Sequence, residues 1–170
     1  MRMGLFGGTF NPIHIGHIKM AEASRKEYKL NVIYFIPCGI PPHKQKKDLL
    51  PAKLRCELVR KAIRGKKYLK VLDIEIKKKK PCYTIETIKR LCVETCRGKS
   101  LHFLIGQDEF EKLHTWKKPN ELAKIVIFLV LPRGKRKKLK LPRVKSLKWH
   151  MVHTEPVDVS ATEIRSKSKL

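Results

Sequence analysis

The stretch Gly7-Gly8-Thr9-Phe10-Asn11-Pro12-Ile13-His14-Ile15-Gly16-His17 follows a short apolar run, Met3 to Phe6, and precedes a segment with helical spacing. The apolar run reads as a buried strand that ends at the doubled glycine. From Gly16 to Tyr28, Ile18, Ala21 and Tyr28 fall on one helical face, with Met20 beside them and Lys19, Glu22, Arg25 and Lys26 elsewhere. The junction is therefore strand, glycine turn, helix. Gly7 and Gly8 remove side chains at the strand end so that a bulky anion can approach the backbone, and Gly16 opens a helix whose first N–H groups lack intrahelical acceptors. His14 and His17, three apart at that helix start, can present both imidazoles to one side as directional donors to phosphate oxygens. Capping and packing histidines around a tight turn are the plainer alternative, but double glycine, proline and paired histidines together favour a phosphate cradle. The turn lacks the G-x-G-x-x-G of dinucleotide oxidoreductases and the G-K-[ST] ending of P-loops.

Outward from this junction, strand-like and helix-like segments alternate. Asn31 to Pro37, NVIYFIP, is β-branched, aromatic and closed by proline, as a central parallel strand would be, and it completes a β-α-β unit. Cys38 to Pro51 holds two adjacent prolines and a lysine cluster, which makes it a loop at a strand's carboxyl end. A helix is expected from Pro51, with Leu54, Leu58, Ala62 and Ile63 as its apolar stripe. Tyr68 to Ile76 reads as the next strand, alternating cleanly at Leu72, Ile74 and Ile76. Thr84 to Thr95 carries Ile85, Ile88, Leu91 and Cys92 at helical spacing, with Thr84 as N-cap. Leu101 to Gly106 is a strand running into a loop, Gln107 to Trp116; Pro119 then opens a short helix before the apolar strand Ile125 to Leu131. Gly134 to Lys148 reads as a basic linker and Trp149 to His153 as a further strand, while Ser160 and Glu163 have the S-x-x-E spacing of a capping box at a last helix. This alternation predicts an α/β fold in a single domain, a parallel sheet covered on both faces with ligands at the carboxyl ends of strands where the winding reverses.

Composition narrows the class. With 170 residues, 42% of them hydrophobic, the chain has the size and apolar content of one ordinary domain. No stretch approaches the roughly 18 uninterrupted apolar residues of a membrane helix, and a cytoplasmic location is expected. Five cysteines, Cys38, Cys56, Cys82, Cys92 and Cys96, are scattered without a C-x-x-C pair, so they read as reduced thiols and no metal site is expected. Cys92 and Cys96 would be i,i+4 neighbours on a helix, a spacing that fits small apolar packing better than metal binding. The formal charge of +25 calls for anionic partners. Two basic runs, Lys77 to Lys80 and Arg133 to Lys148, supply 13 of those charges and fit solvated turns.

The cradle stretch resembles the G-G-T-F-D-P-[IV]-H-x-G-H signature of nucleotidyltransferases with the H-x-G-H motif, and Val159 to Arg165, VSATEIR, resembles their S-[ST]-T-x-[IL]-R signature. Within that superfamily, IPCGIPPHK (Ile36 to Lys44), CYT (Cys82 to Thr84), IGQDEFEKLHTW (Ile105 to Trp116) and PRG (Pro132 to Gly134) resemble segments of the bacterial nicotinate-mononucleotide adenylyltransferases, in the same order. The resemblance implies a Rossmann-like doubly wound sheet forming one nucleotidyltransferase domain over residues 1–170, with a shortened C-terminal helical region. It implies adenylyl transfer from ATP to nicotinate mononucleotide, giving deamido-NAD and pyrophosphate, with Mg2+ on the phosphates.

The family pattern implies that Gly7, Gly8, Thr9, Phe10, Gly16, Gly106 and Asp108 shape the ATP site and that His14 and His17 hold its phosphates, His17 nearest the α-phosphate. Ser160, Thr162 and Arg165 would embrace the triphosphate from the other side, with Arg165 joining the histidines in catalysis. A capped helix start carrying an arginine one turn in is independently an anion site, and a plain N-cap role suits Ser160 equally well. For the pyridine nucleotide, Trp116 offers a flat face for stacking, Thr84 lies by resemblance at the nicotinate carboxylate, and Lys44 and Arg133 are placed to meet phosphate. Asp108 would accept from ribose hydroxyls or the substrate loop, although an aspartate there also suits a turn. Asn11 stands where the family has aspartate, keeping the turn but losing a charge, and Ala161 replaces a hydroxyl residue.

Two rival readings remain on the sequence. Phosphopantetheine adenylyltransferase shares the fold and a related signature, and a basic nucleic-acid-binding module would use the lysine runs. The latter lacks aromatic interleaving and a recognition motif, so nonspecific nucleic-acid contact is the most it implies. Self-association is also open.

Overall fold

Strand β1 (Arg2–Gly8) lies inside a parallel sheet in the computed structural model, which describes residues 1–42, 49–95, 100–132 and 138–153. It pairs with β2 (Val32–Pro37) on one side and with β4 (Ser100–Gly106) on the other. Beyond β2 lies β3 (Leu69–Val71), and beyond β4 lie β5 (Ile127–Leu131) and β6 (Trp149–Met151). The described residues thus form a six-stranded sheet in the order β3-β2-β1-β4-β5-β6. The chain winds outward from β1 in one direction and then restarts in the other, so the winding reverses between β1 and β4. At that point the carboxyl ends splay apart and leave a crevice.

Side chains alternate across the sheet with period two and feed two separate cores. Met3, Leu5, Phe103, Ile105, Phe128 and Val130 face α3 (Thr84–Thr95), α4 (Gln107–Glu111) and α5 (Pro119–Ile125). Phe6, Ile33, Phe35, Leu104, Leu129 and Leu131 face α1 (Ile15–Glu27) and α2 (Ala52–Ala62). The far edge is tied back by Tyr28, whose hydroxyl donates to the Met151 carbonyl at 2.9 Å; burial, with Glu27 alongside, pushes that phenol up to about 12.

Three expectations are corrected. The α2 stripe is not Leu54-Leu58-Ala62-Ile63: Leu54 is exposed, and the buried face is Arg55, Cys56, Val59 and Ile63. Strand β3 spans three residues, and Asp73–Ile76 closes a turn in which the Ile76 N–H donates to the Asp73 carbonyl at 3.0 Å. Asp73 there meets Arg60 at 2.8 Å, while Glu75 points inward, so the Leu72-Ile74-Ile76 alternation belongs to a turn. Gln107 to Trp116 is not a loop but α4 followed by a 3-10 turn, Leu113–Thr115, which buries Phe110 and Leu113. In addition, Thr84 is the first helical residue of α3, and it is the Tyr83 carbonyl that accepts from Glu86 and Thr87.

Arg55 accounts for the rotation of α2. It is fully buried, and its Nε, Nη1 and Nη2 donate to the carbonyls of Leu50 (2.9 Å), Thr9 (2.6 Å) and Gly39 (2.8 Å). Burial lowers its pKa from the usual arginine value, but three charge-assisted hydrogen bonds satisfy the group. Arg55→Met keeps most of the volume and strands three carbonyls. At roughly 1 kcal/mol or more for each bond lost, it should destabilise by about 3 kcal/mol, read as a lower urea midpoint at an unchanged slope. An unshifted midpoint would refute the bracing role.

Candidate active site

The cradle begins where β1 ends. Gly7 and Gly8 remain in register with Ile36 and Pro37 as strand residues. A Cβ on Gly8 would stand 2.9 Å from the ring of Phe10, which folds back over it. Phe10 has φ +45°, left-handed for a side-chain-bearing residue, and its ring is buried between Phe6 (5.5 Å, edge-on), Phe35 (5.6 Å) and His17 (5.2 Å, edge-on). Three aromatic contacts at roughly 0.5–1.5 kcal/mol each outweigh a backbone cost of about 1–3 kcal/mol. The glycine is required by the turn as well as by any ligand.

His14 is the N-cap of α1, and the His17 N–H donates to its carbonyl at 3.0 Å. The two imidazole centroids lie 3.8 Å apart. His17 Nδ1 accepts the His14 backbone N–H at 3.2 Å, so the neutral His17 ring carries its proton on Nε2. That leaves a fixed donor at the helix start, where helix geometry leaves the Ile15 and Gly16 N–H groups without intrahelical acceptors. The Asn11 side-chain oxygen accepts from Leu50 N–H at 3.0 Å, so asparagine in place of the family's aspartate serves as a turn brace.

A cavity of about 420 Å3 opens at the carboxyl edge of the sheet, within the range that holds small ligands. Its wall brings together Gly7, Gly8 and Thr9 from the cradle, Gly106 after β4, Thr84 at the start of α3, and Trp116. The ring of Trp116 stands edge-on to Phe103 at 6.1 Å and 88°, which fixes it by its core side. Phe10, His14, Gly16 and His17 belong to the turn and helix start and do not line this cavity; Asp108 sits in the first turn of α4, where its neighbour Glu109 reaches the wall. Lys44, Arg133, Ser160, Ala161, Thr162 and Arg165 lie outside the described residues.

Several wall residues went unnoticed in the sequence. Lys117 lies over the Tyr83 ring at 4.4 Å and pairs with Glu86 at 2.6 Å; that hydrogen bond raises the lysine's pKa and lowers the glutamate's. Cys38, Glu75 and Cys82 also line the cavity. Burial, and then the charge of Glu75, push the Cys38 thiol up, which keeps it protonated and unsuited to attack. Arg55 braces the floor from behind. Its signal was present, since Arg55, Val59 and Ile63 recur at i, i+4, i+8, but a charged residue in a helix reads first as solvent-facing.

Comparison with known proteins gives the context. The cytidylyltransferase-like family model matches residues 5–167. A protein of Dehalococcoides mccartyi strain 195 is 36% identical over 98% of this chain and 85% of its own length, and one of Clostridium acetobutylicum is 34% identical over 98% and 86%. A Desulfatibacillum aliphaticivorans protein is 40% identical, over 78% of this chain and 60% of its own length. All three bear the name "Probable nicotinate-nucleotide adenylyltransferase". Among solved structures, the Plasmodium falciparum nicotinic acid mononucleotide adenylyltransferase complexed with NaAD superposes with a TM-score of 0.77 over 97% of this chain and 82% of that one; at 17% identity this speaks for the fold. The chain belongs to the cytidylyltransferase-like family and, within it, to the nicotinate-nucleotide adenylyltransferases.

Proposed function

We propose that the protein transfers the adenylyl group of ATP to nicotinate mononucleotide. A phosphate oxygen of the mononucleotide attacks the α-phosphorus of ATP, a new P–O bond forms, and the bond to the β-phosphate breaks as pyrophosphate leaves with its electron pair. The observation that carries this reading is a cavity at the switch point, walled by a glycine strand end beside paired histidines on one side and by a helix start with an aromatic ring on the other. The nucleophile is already ionised near neutral pH, so neither a serine or cysteine nucleophile nor a general base is required. Catalysis then reduces to holding two anions in line and stabilising the charge that develops between them.

In this reading His17, with its proton on Nε2, donates to the α-phosphate, and His14 takes a neighbouring phosphate oxygen. Gly7, Gly8, Thr9, Gly16 and Gly106 offer backbone close to the nucleotide, and Phe10 holds the turn in shape. Following the family pattern, Ser160, Thr162 and Arg165 close on the triphosphate, Lys44 and Arg133 meet phosphate, and Asp108 accepts from a ribose hydroxyl. Trp116 stacks on the pyridine ring, and the start of α3 at Thr84 receives its carboxylate. Mg2+ fits as an ion carried in by ATP. The cradle offers imidazole and backbone N–H donors suited to phosphate, whereas magnesium takes oxygen ligands, several of which the triphosphate itself supplies, with the added effect of withdrawing charge from the phosphates. No helix among the described residues is long and apolar enough to cross a membrane.

His17→Ala removes one preorganised donor, which is typically worth about 2.7–4 kcal/mol, so kcat should fall roughly a hundredfold or more in a pyrophosphate-release assay. The same change removes the acceptor for the His14 N–H and the ring contact with Phe10, and should cost about 2 kcal/mol of stability while leaving the circular dichroism spectrum unchanged. Near-wild-type turnover would reject the role. Trp116→Ala should raise KM for nicotinate mononucleotide by roughly twofold to thirtyfold, from a stacking energy of about 0.5–2 kcal/mol, and leave KM for ATP in place. Equal losses for both substrates would count against stacking.

A further inference from the structure

Three groups that the sequence keeps apart meet on the cavity wall. Cys38 follows β2, Glu75 lies in the turn after β3, and Cys82 precedes α3; one ligand atom from each lies within 4.8 Å of the other two. The reaction assigned above uses none of them. Backbone packing fixes their approach. Gly39 sits so tightly on the Glu75 carbonyl that a Cβ there would stand 2.2 Å from it, the Cys82 N–H donates to the Ile40 carbonyl at 3.0 Å, and Ile40 pairs with Pro81 in a parallel bridge. The Glu75 carboxylate is buried and accepts from the Thr87 hydroxyl at 2.6 Å, which orients it. An oriented carboxylate with its own hydrogen-bond partner is the arrangement that supports a metal ligand.

The donor set selects the ion. Two sulfurs and one carboxylate oxygen are too soft for Mg2+ or Ca2+ and suit Zn2+, whose ligands lie about 2.0–2.3 Å away and hence roughly 3.3–3.8 Å from one another in a tetrahedron. From within 4.8 Å of one another, the three atoms need to close by at most about 1.5 Å. Zn2+ displaces the two thiol protons to solvent on binding; the resulting two thiolates, one carboxylate and Zn2+ sum to a single negative charge, and the buried Arg55 guanidinium, which interacts electrostatically with both thiols, offsets it. Because all three residues line the cavity, the ion has an entry path and a fourth position open to water.

We propose that Cys38, Glu75 and Cys82 form a Zn2+ site on the cavity wall, with its fourth coordination position open to the cavity. The inference stands on these residues alone and is independent of the reaction assigned above. Bound zinc joins the end of β2 to the segment entering α3, so it clips together two walls of the cavity.

The test uses the full chain, reduced with a phosphine and freed of metal, titrated with Co2+ as a spectroscopic stand-in and then with Zn2+ against a chromophoric chelator. One ion per chain is expected, with thiolate-to-cobalt charge-transfer absorption that zinc abolishes, and a Tm that rises with zinc. Cys38→Ser and Cys82→Ser should each weaken binding by about a hundredfold or more and Glu75→Gln by about tenfold or more, since even residues that only support a ligand cost 10–100-fold. Cys92→Ser, on α3 outside the cluster, should bind as the wild type does. A wild-type protein with no charge-transfer band overturns the proposal whatever the variants do. Zinc uptake unchanged in the Cys38→Ser or Cys82→Ser chain overturns it equally.

Discussion

One guanidinium holds the site in shape. The segments that build the cavity are irregular backbone: the turn after β1, the loop after β2 and the approach to α2. Such segments cannot satisfy their own carbonyls, and burying them without donors would cost about 1–3 kcal/mol apiece. Arg55 answers this with three of its five N–H groups, one to each segment. A lysine would reach the same volume, but it lacks the rigid planar fork that spans three acceptors at once. The rotation of α2 follows, because the helix must turn Arg55 inward and Leu54 therefore outward. Thr9 is fixed beside the cradle, and Gly39 is fixed against Glu75. The glycine side of the cavity and the Cys38-Glu75-Cys82 wall thus share one brace.

The sheet contributes a different constraint. Alternation sends Met3 and Leu5 to one core and Phe6 to the other, so β1 is anchored from both faces and its end is stiff. The aromatic cluster of Phe6, Phe10 and Phe35 extends that rigidity one turn beyond the strand and reaches His17 through an edge-on contact. His17 in turn is held by the His14 N–H. A donor aimed in this way needs little reorganisation when charge develops on a phosphate, which is where electrostatic catalysis gains over water. Packing in the core and chemistry at the cradle are here consecutive links of one chain of contacts.

Local chemistry made much of this readable. A doubled glycine before paired histidines marked the junction of strand, turn and helix, and the alternation of apolar segments marked the parallel sheet. The family resemblance carried by GGTFNPIHIGH and VSATEIR agrees with the relatives found. What escaped the sequence was set by distant partners. Leu54 and Arg55 are adjacent, and only the carbonyls of Thr9 and Gly39 decide which of them is buried. Leu72, Ile74 and Ile76 alternate like a strand, yet Asp73 is held by Arg60 and Glu75 by Thr87, so the chain turns. The Cys38-Glu75-Cys82 cluster has no spacing signature, because its members come from three different connections.

The net charge of +25 is best understood against this geometry. Among the described residues, Lys112 and Lys117 reach the cavity wall, and Lys117 is already paired with Glu86. With a screening length of about 8 Å at physiological salt, exposed lysines such as Lys77, Lys79 and Lys80 cannot stabilise a transition state across the domain. They can raise the local concentration of anions around the molecule, and both reactants of the proposed transfer are anions. Surface charge therefore belongs to encounter, and its effect should fade as salt rises. The hydrogen-bonded groups, buried Arg55 and half-buried His17 above all, would serve positioning in the proposed transfer, where screening has less access. One chain can in this way be strongly basic overall and still leave the proposed phosphate chemistry to a few positioned hydrogen-bond donors.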